Sequence, residues 1–170
     1  MSGDVAGMKY QEIAQWLNDH DVFNYTIHDN LVVDVDGDVN LSNRKLTELP
    51  FQFGNVSGHF YCSVNKLTTL QYCPTAVGGN FSCYNNKLTS LQYCPTTVGG
   101  NFSCYNNKLT SLQYCPTTVG GFYCYQNPFI ISKENESGWL EAIKNHKKVY
   151  SYIKEPTESL TNFYKMIWEV

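Results

Sequence analysis

The residues of this 170-residue chain best equipped for chemistry are seven cysteines, four histidines and a run of aspartates. The cysteines stand at positions 62, 73, 83, 94, 104, 115 and 124, in steps of 11, 10, 11, 10, 11 and 9. Thiols two residues apart would hold zinc or cycle through a disulfide, but no Cys-x-x-Cys occurs. An odd number cannot pair completely, so the steps are read as two interleaved columns of small buried hydrophobes in a reducing environment. A metal or iron–sulfur ladder would need a ligand cluster, which the sequence lacks. Asp34, Asp36 and Asp38 invite a calcium site, yet Gly37 comes too early for the helix–loop–helix calcium loop. Their alternation with Val33, Val35 and Val39 instead reads as a strand with its acids outward. His20, His28, His59 and His146 are scattered, and Gly78-Gly79 lacks the context of a phosphate loop. No nucleophile, base and orienting acid converge. The sequence therefore predicts no enzyme, no catalytic residue, no metal and no cofactor.

Composition narrows the classes further. The chain is 42% hydrophobic, 15% aromatic and 16% charged, which excludes a disordered tail. No apolar run reaches the roughly 18 residues of a membrane helix, and the start, MSGDVAGMKYQEI, has no basic segment followed by an apolar one. The expectation is a soluble cytoplasmic protein without a membrane partner. The net charge of −3 argues against wholesale attraction to nucleic acid. Charge is segregated: residues 1–38 carry eight acids and one Lys, whereas residues 39–128 carry five bases and Glu48 alone.

What positions these side chains is an internal repeat. Segment 81–100, FSCYNNKLTSLQYCPTTVGG, recurs unchanged at 102–121; segments 39–59 and 60–80 are variants, and FYCYQNPF is a partial copy from Phe122 to Phe129. The period is 21, shortened by one before Phe122 because the Asn after the second Gly is missing. Such a period marks a solenoid, in which each unit buries its apolar face only against its neighbours. Each copy reads apolar-x-apolar-x-x-Asn-x-Leu-x-x-Leu, as at Phe81, Cys83, Asn86, Leu88 and Leu91. The two-residue alternation predicts a short strand. The Asn can turn inward and satisfy backbone groups that no ladder reaches. Asn65, Asn86, Asn107 and Asn127 hold that place, with Arg44 in the first copy.

This pattern resembles the leucine-rich repeat, with Phe and Cys in place of its first two leucines. The phrase NNKLTSL…CP…VGG is similar to leucine-rich repeat proteins encoded by tailed bacteriophages. The resemblance covers Val39 to Phe129. It implies a repeat solenoid with a parallel β-sheet on the concave side and an extended or turn-like convex side, since LQYCPTTVGG is too short and too rich in Pro and Gly for a helix. A parallel β-helix is the competing architecture at this period.

The ends differ from the repeats, as solenoid caps do. Residues 1–38 are read as an N-terminal helical and strand cap, 39–129 as the repeats and 130–170 as a C-terminal helical cap, all one continuous domain. Tyr10, Ile13, Ala14 and Leu17 recur at helical spacing. Val35 and Gly37 precede Val56 and Gly58 by 21 residues, so the repeat register begins inside the first cap. A helix is predicted from near Ser137 through SGWLEAIKNHKKVYSYI, and another after Pro156 carrying Leu160, Phe163, Tyr164, Ile167 and Trp168.

Outward positions then fall into four columns: Asp38, His59, Asn80 and Asn101; Asn40, Tyr61, Ser82, Ser103 and Tyr123; Ser42, Ser63, Tyr84, Tyr105 and Tyr125; and Asn43, Val64, Asn85, Asn106 and Gln126. Lys45, Lys66, Lys87 and Lys108 form a basic row beside them. Tyrosine gives a large contact area for few rotatable bonds, so five of them among Asn and Ser predict a protein-binding face. Ring ladders that merely stiffen the sheet are the plainer reading. The expected binding residues are Tyr61, Tyr84, Tyr105, Tyr123, Tyr125, His59, Asn80, Asn101, Asn85, Asn106, Lys87 and Lys108. The phage resemblance implies an inhibitor or adaptor acting on a host or defence protein. Two alternatives stand beside it: sequestering of a nucleotide or nucleic acid by the Tyr ladder and Lys row, and a structural role through self-association.

Overall fold

The computed structural model describes residues 9–117 and 119–129, and the backbone of residues 149–150. Helix α1 (Tyr10–Asp19) opens the described chain, its first turn closed by the Lys9 N–H donating to the Glu12 carboxylate at 2.8 Å. Ile13 and Leu17 point into the core, and Trp16 lies edge-on to Phe51 at 5.2 Å. Tyr10, expected on the buried stripe, is 55% exposed, because the first turn runs past the end of the core.

Strands β1 (Tyr25–Ile27) and β2 (Val33–Val35) form an antiparallel hairpin. Gly37, at φ 135°, then turns the chain into β3 (Val39–Asn40), a conformation side-chain-bearing residues rarely adopt. The remaining strands are short: β4 (Phe53–Val56), β5 (Phe60–Tyr61), β6 (Ala76–Val77), β7 (Phe81–Ser82), β8 (Thr97–Val98), β9 (Phe102–Ser103), β10 (Phe122–Tyr123) and β11 (Val149–Tyr150). They form two sheets, β1-β2-β4-β6-β8 and β11-β10-β9-β7-β5-β3, in which every pair except β1–β2 is parallel. The described residues thus form a β-solenoid of about four turns with very little helix.

The repeat sets the register. Phe60 pairs with Phe81, Phe81 with Phe102, and Phe102 with Phe122. The last step is one residue shorter, so the missing Asn is absorbed before the strand and the rings stay aligned. Val35 pairs with Val56, which places the hairpin in the repeat register. The side expected to be extended or turn-like is extended, and it carries the first sheet, parallel from β2 to β8. Its backbone is satisfied coil to coil, with Gly78 N–H donating to Val56 O at 2.9 Å and Gly99 N–H to Val77 O at 2.9 Å. Pro and Gly break helices and isolated strands, but a stacked coil needs only a matching neighbour above and below.

The core is a set of like residues in columns. Phe60, Phe81, Phe102 and Phe122 are fully buried and stack at 5.8, 5.3 and 5.4 Å. Each contributes about 1.5–3 kcal/mol relative to exposure. Leu67 and Leu70, Leu88 and Leu91, and Leu109 and Leu112 fill the side opposite, with Cys62, Cys83, Cys104 and Cys124 between. The asparagine column does what its place in the repeat predicts. Asn107 Nδ2 donates to Cys83 O and Cys104 O at 3.0 Å each, while its Oδ1 accepts the Leu88 N–H at 3.0 Å. Asn65, Asn86 and Asn127 repeat this clamp. Each therefore ties one coil to the next.

Two corners turn through left-handed backbone. Asn43, Val64, Asn85, Asn106 and Gln126 lie at φ 51–58°, and Tyr72, Tyr93 and Tyr114 at φ 68–70°. At the far end, Val149–Tyr150 pair in parallel with β10, where the sequence predicted helix. The β-branched and aromatic residues of VYSYI suit an open sheet edge. The rest of the helix expected from Ser137, and the helix after Pro156, lie outside the described residues.

Candidate functional site

The second sheet orders the tyrosines by coil and by column. Tyr84, Tyr105 and Tyr125 follow Cys83, Cys104 and Cys124, whose burial turns the next residue outward. The three rings stack face to face at 4.5 and 4.4 Å, with planes 5° and 11° apart. Each is half-buried, so ring edges and hydroxyls form the outer surface. Burial between its neighbours, with Tyr125 and Tyr84 adding to it, pushes the Tyr105 hydroxyl up to about 12. Tyr105 therefore stays protonated at any physiological pH and keeps a hydrogen-bond donor at the centre of the row.

Tyr61 and Tyr123 belong to the neighbouring column and are separated by Ser82 and Ser103. Tyr61 stacks on His59 at 5.4 Å rather than on the main ladder. Ser82 is 7% exposed and accepts a hydrogen bond from the Ser63 hydroxyl at 2.9 Å. Five predicted binding tyrosines thus form a three-ring stack and two flanking rings.

The column of Asp38, His59, Asn80 and Asn101 is a ladder of acceptors. Asp38 Oδ1 takes the His59 N–H at 2.7 Å, His59 Nδ1 takes the Asn80 N–H at 2.8 Å, and Asn80 Oδ1 takes the Asn101 N–H at 2.8 Å. A backbone N–H can only donate, so His59 Nδ1 carries no proton in this arrangement. The glycines of VGG make room for the ladder: a Cβ on Gly79 would lie 2.2 Å from His59 Nδ1. These side chains are therefore largely committed to holding coils together, which leaves His59 Nε2 and the amide groups for a partner. Asn106 donates to Asn85 in the adjoining column.

Lys45, Lys66, Lys87 and Lys108 are all exposed and recur once per coil. The backbone N–H groups of Lys66, Lys87 and Lys108 bond to the preceding coil, as Lys87 does to Leu67 O at 2.9 Å. Their backbones recur at one strand spacing, about 4.8 Å. Lys87 and Lys108 flank the tyrosine stack three residues beyond Tyr84 and Tyr105.

Two features were not singled out from the sequence. Tyr93 and Tyr114 are 55% and 56% exposed on a corner away from the stack, at the third position of a turn closed by Cys94 N–H to Leu91 O and Cys115 N–H to Leu112 O. That position favours glycine, and only its 21-residue recurrence could have flagged it. The other is a depression of 610 Å³ lined by His28, Asp29, Asp34 and Asn55. There His28 Nε2 donates to Asp34 Oδ2 at 2.9 Å, while the Asn55 N–H reaches Asp34 Oδ1 at 2.6 Å. The Asn55 bond and then His28 hold the Asp34 carboxyl below its ordinary value.

None of the seven cysteines forms a disulfide. Burial pushes the thiols of Cys73, Cys83 and Cys104 far up, and that of Cys94 up to about 12, so they are poor nucleophiles. Among the described residues no group of three or more His, Cys, Asp or Glu could hold a metal ion, and no helix is long and apolar enough to cross a membrane. Comparison with known proteins finds no match to this chain among protein-family models, curated proteins or solved structures.

Proposed function

We propose that this chain is a binding module that recognises another protein through the tyrosine face of its second sheet. The observation that carries the reading is the stack of Tyr84, Tyr105 and Tyr125 at 4.5 and 4.4 Å. Stacked rings have already lost their rotamer freedom, so a partner meets an ordered surface at little further entropic cost. The two identical repeats extend that surface without redesigning it. The Asn-x-Leu-x-x-Leu phrase and the asparagine clamp support a leucine-rich-repeat type with helical caps. Through the phage resemblance they support an inhibitor or adaptor that occludes a host or defence protein. Seven cysteines without a disulfide support a reducing compartment, the cytoplasm.

The test is capture of a partner from host cells, its purification, and titration against the folded wild type and a Tyr84→Ala, Tyr105→Ala double variant. The proposal expects the double variant to keep its circular dichroism and bind at least about 30-fold more weakly, the loss of one interface hot spot. Equal affinity refutes it. The exposed Lys row favours a second reading, sequestering of a nucleotide or nucleic acid. The ring separations leave no gap for a base within the stack, so such a ligand would lie along it. Binding to a nucleotide panel that weakens with salt and with Lys87→Gln, Lys108→Gln would favour that reading.

A further inference from the structure

We infer that β3, the outer strand of the second sheet, is a docking edge for an extended, basic segment of a partner protein. Val39, Leu41 and Asn43 donate their N–H groups to His59, Tyr61 and Ser63 of the next coil at 2.8, 2.7 and 3.0 Å. Backbone groups alternate along a parallel strand, so those of Asn40 and Ser42 aim the other way. Among the described residues no strand lies there, because the sheet ends at β3. The Ser42 N–H is taken locally by Asn40 Oδ1 at 3.1 Å. The Asn40 N–H and the carbonyls of Asn40 and Ser42 are left facing outward.

The same end of the solenoid is closed elsewhere. β1 pairs antiparallel on the edge of the first sheet, and α1 plugs the core with Ile13 and Leu17. Exposed edges invite pairing, and proteins blunt those they do not use. The open edge is also marked by charge and an apolar anchor. Asp36 and Asp38 are exposed at its entrance, each with one oxygen accepting from the next coil (the Ser57 hydroxyl and the His59 N–H) and the other turned to neither, within a segment 1–38 that holds eight acids and one Lys. Phe23 is 58% exposed. Its short linker meets both ends of the edge, through Asp36 N–H to Asn24 O at 2.8 Å and Arg44 to Asp21 at 3.1 Å. A partner strand would gain backbone hydrogen bonds from β3, an apolar contact from Phe23 and charge pairing from the aspartates. The surface is an edge, separate from the tyrosine face, and does not depend on it.

The probe is a fluorescent synthetic peptide of alternating valine and threonine with two lysines at each end, titrated into the full chain. Saturable binding is expected, at least about ten-fold weaker for a peptide ending in glutamates. It should be lost when alternate peptide amides are N-methylated, a change that leaves the protein untouched. Asp38→Asn should weaken it about three-fold, the scale of one exposed ion pair. Asn80 and Asn101 show that asparagine serves that ladder position. Tyr84→Ala should leave the affinity unchanged, which separates this site from the tyrosine face. Absence of saturable binding up to millimolar peptide overturns the inference, as does equal binding of the N-methylated peptide. A dimer that dissolves on Asn40→Pro also overturns it, since the edge would then belong to a second copy.

Discussion

Val64 occupies the same left-handed corner as Asn85, at φ 56° against 53°, although that backbone suits glycine or asparagine and disfavours a β-branched residue. The β-branched carbons of Val64 crowd the carbonyl, at a cost of about 1–2 kcal/mol. Asparagine tolerates the conformation, and asparagine or glutamine fills the place in the other four coils. Val64 is 40% exposed, so burial offers little in return. Val64→Asn should stabilise the fold by about 1 kcal/mol, read from the urea midpoint at unchanged slope. An unchanged or lower midpoint contradicts this account of the corner.

Asn107 tests the clamp. It is 8% exposed and joins Cys83 O, Cys104 O and the Leu88 N–H in one side chain. Alanine would orphan the Leu88 N–H and take one of two amide donors from each carbonyl, which keep Asn86 and Asn127, so Asn107→Ala should cost about 2 kcal/mol. Thr110→Ala, at an exposed position of the same coil, should stay within about 0.5 kcal/mol. Equal losses from the two would mean that the clamp holds nothing.

The buried thiols predict an alkaline limit. Burial raises the thiols of Cys73, Cys83, Cys94 and Cys104 in the fold. Their stabilising effect is complete below about pH 8.5, where the unfolded thiols are also protonated. As pH rises further the unfolded chain releases protons that the fold retains, and each thiol removes about 1.4 kcal/mol per pH unit. Chemical denaturation from pH 8 to 11 should therefore fall steeply. A Cys83→Ala, Cys104→Ala variant should start lower but lose about two protons from the slope. A flat profile would place these thiols in water.

How much of this was legible beforehand follows from what a repeat can reveal. Phe81 and Phe102, identical and 21 apart, fixed the strand register, the inward columns and the facing of Tyr84 and Tyr105. Asn86 and Asn107 disclosed the clamp because an amide after a strand has few other uses. That the extended side pairs into a sheet of its own was not legible, because Pro95 and Gly99-Gly100 spoke only against a helix. Inside a stack their breaking effect is local, and the coil above supplies the pairing. The left-handed turns at Tyr72, Tyr93 and Tyr114 were invisible because tyrosine gives no sign of such a backbone where glycine would. The His28–Asp34 contact needed the β1–β2 hairpin, whose antiparallel pairing lies outside the repeat.

The claim on which the rest depends is that one period equals one coil, and a deletion series measures it most directly. Removing residues 81–101 joins Asn80 to Phe102 and takes out one full coil. That protein should unfold cooperatively, keep the β-sheet circular dichroism of the parent and lose stability in proportion to one repeat. Removing residues 84–94 instead joins Cys83 to Pro95, takes out the Asn86 clamp with Leu88 and Leu91, and leaves half a coil that matches neither neighbour. That protein should lose cooperative unfolding. Two deletions that fold equally well, or a 21-residue deletion that does not fold, would contradict the stacked-coil account.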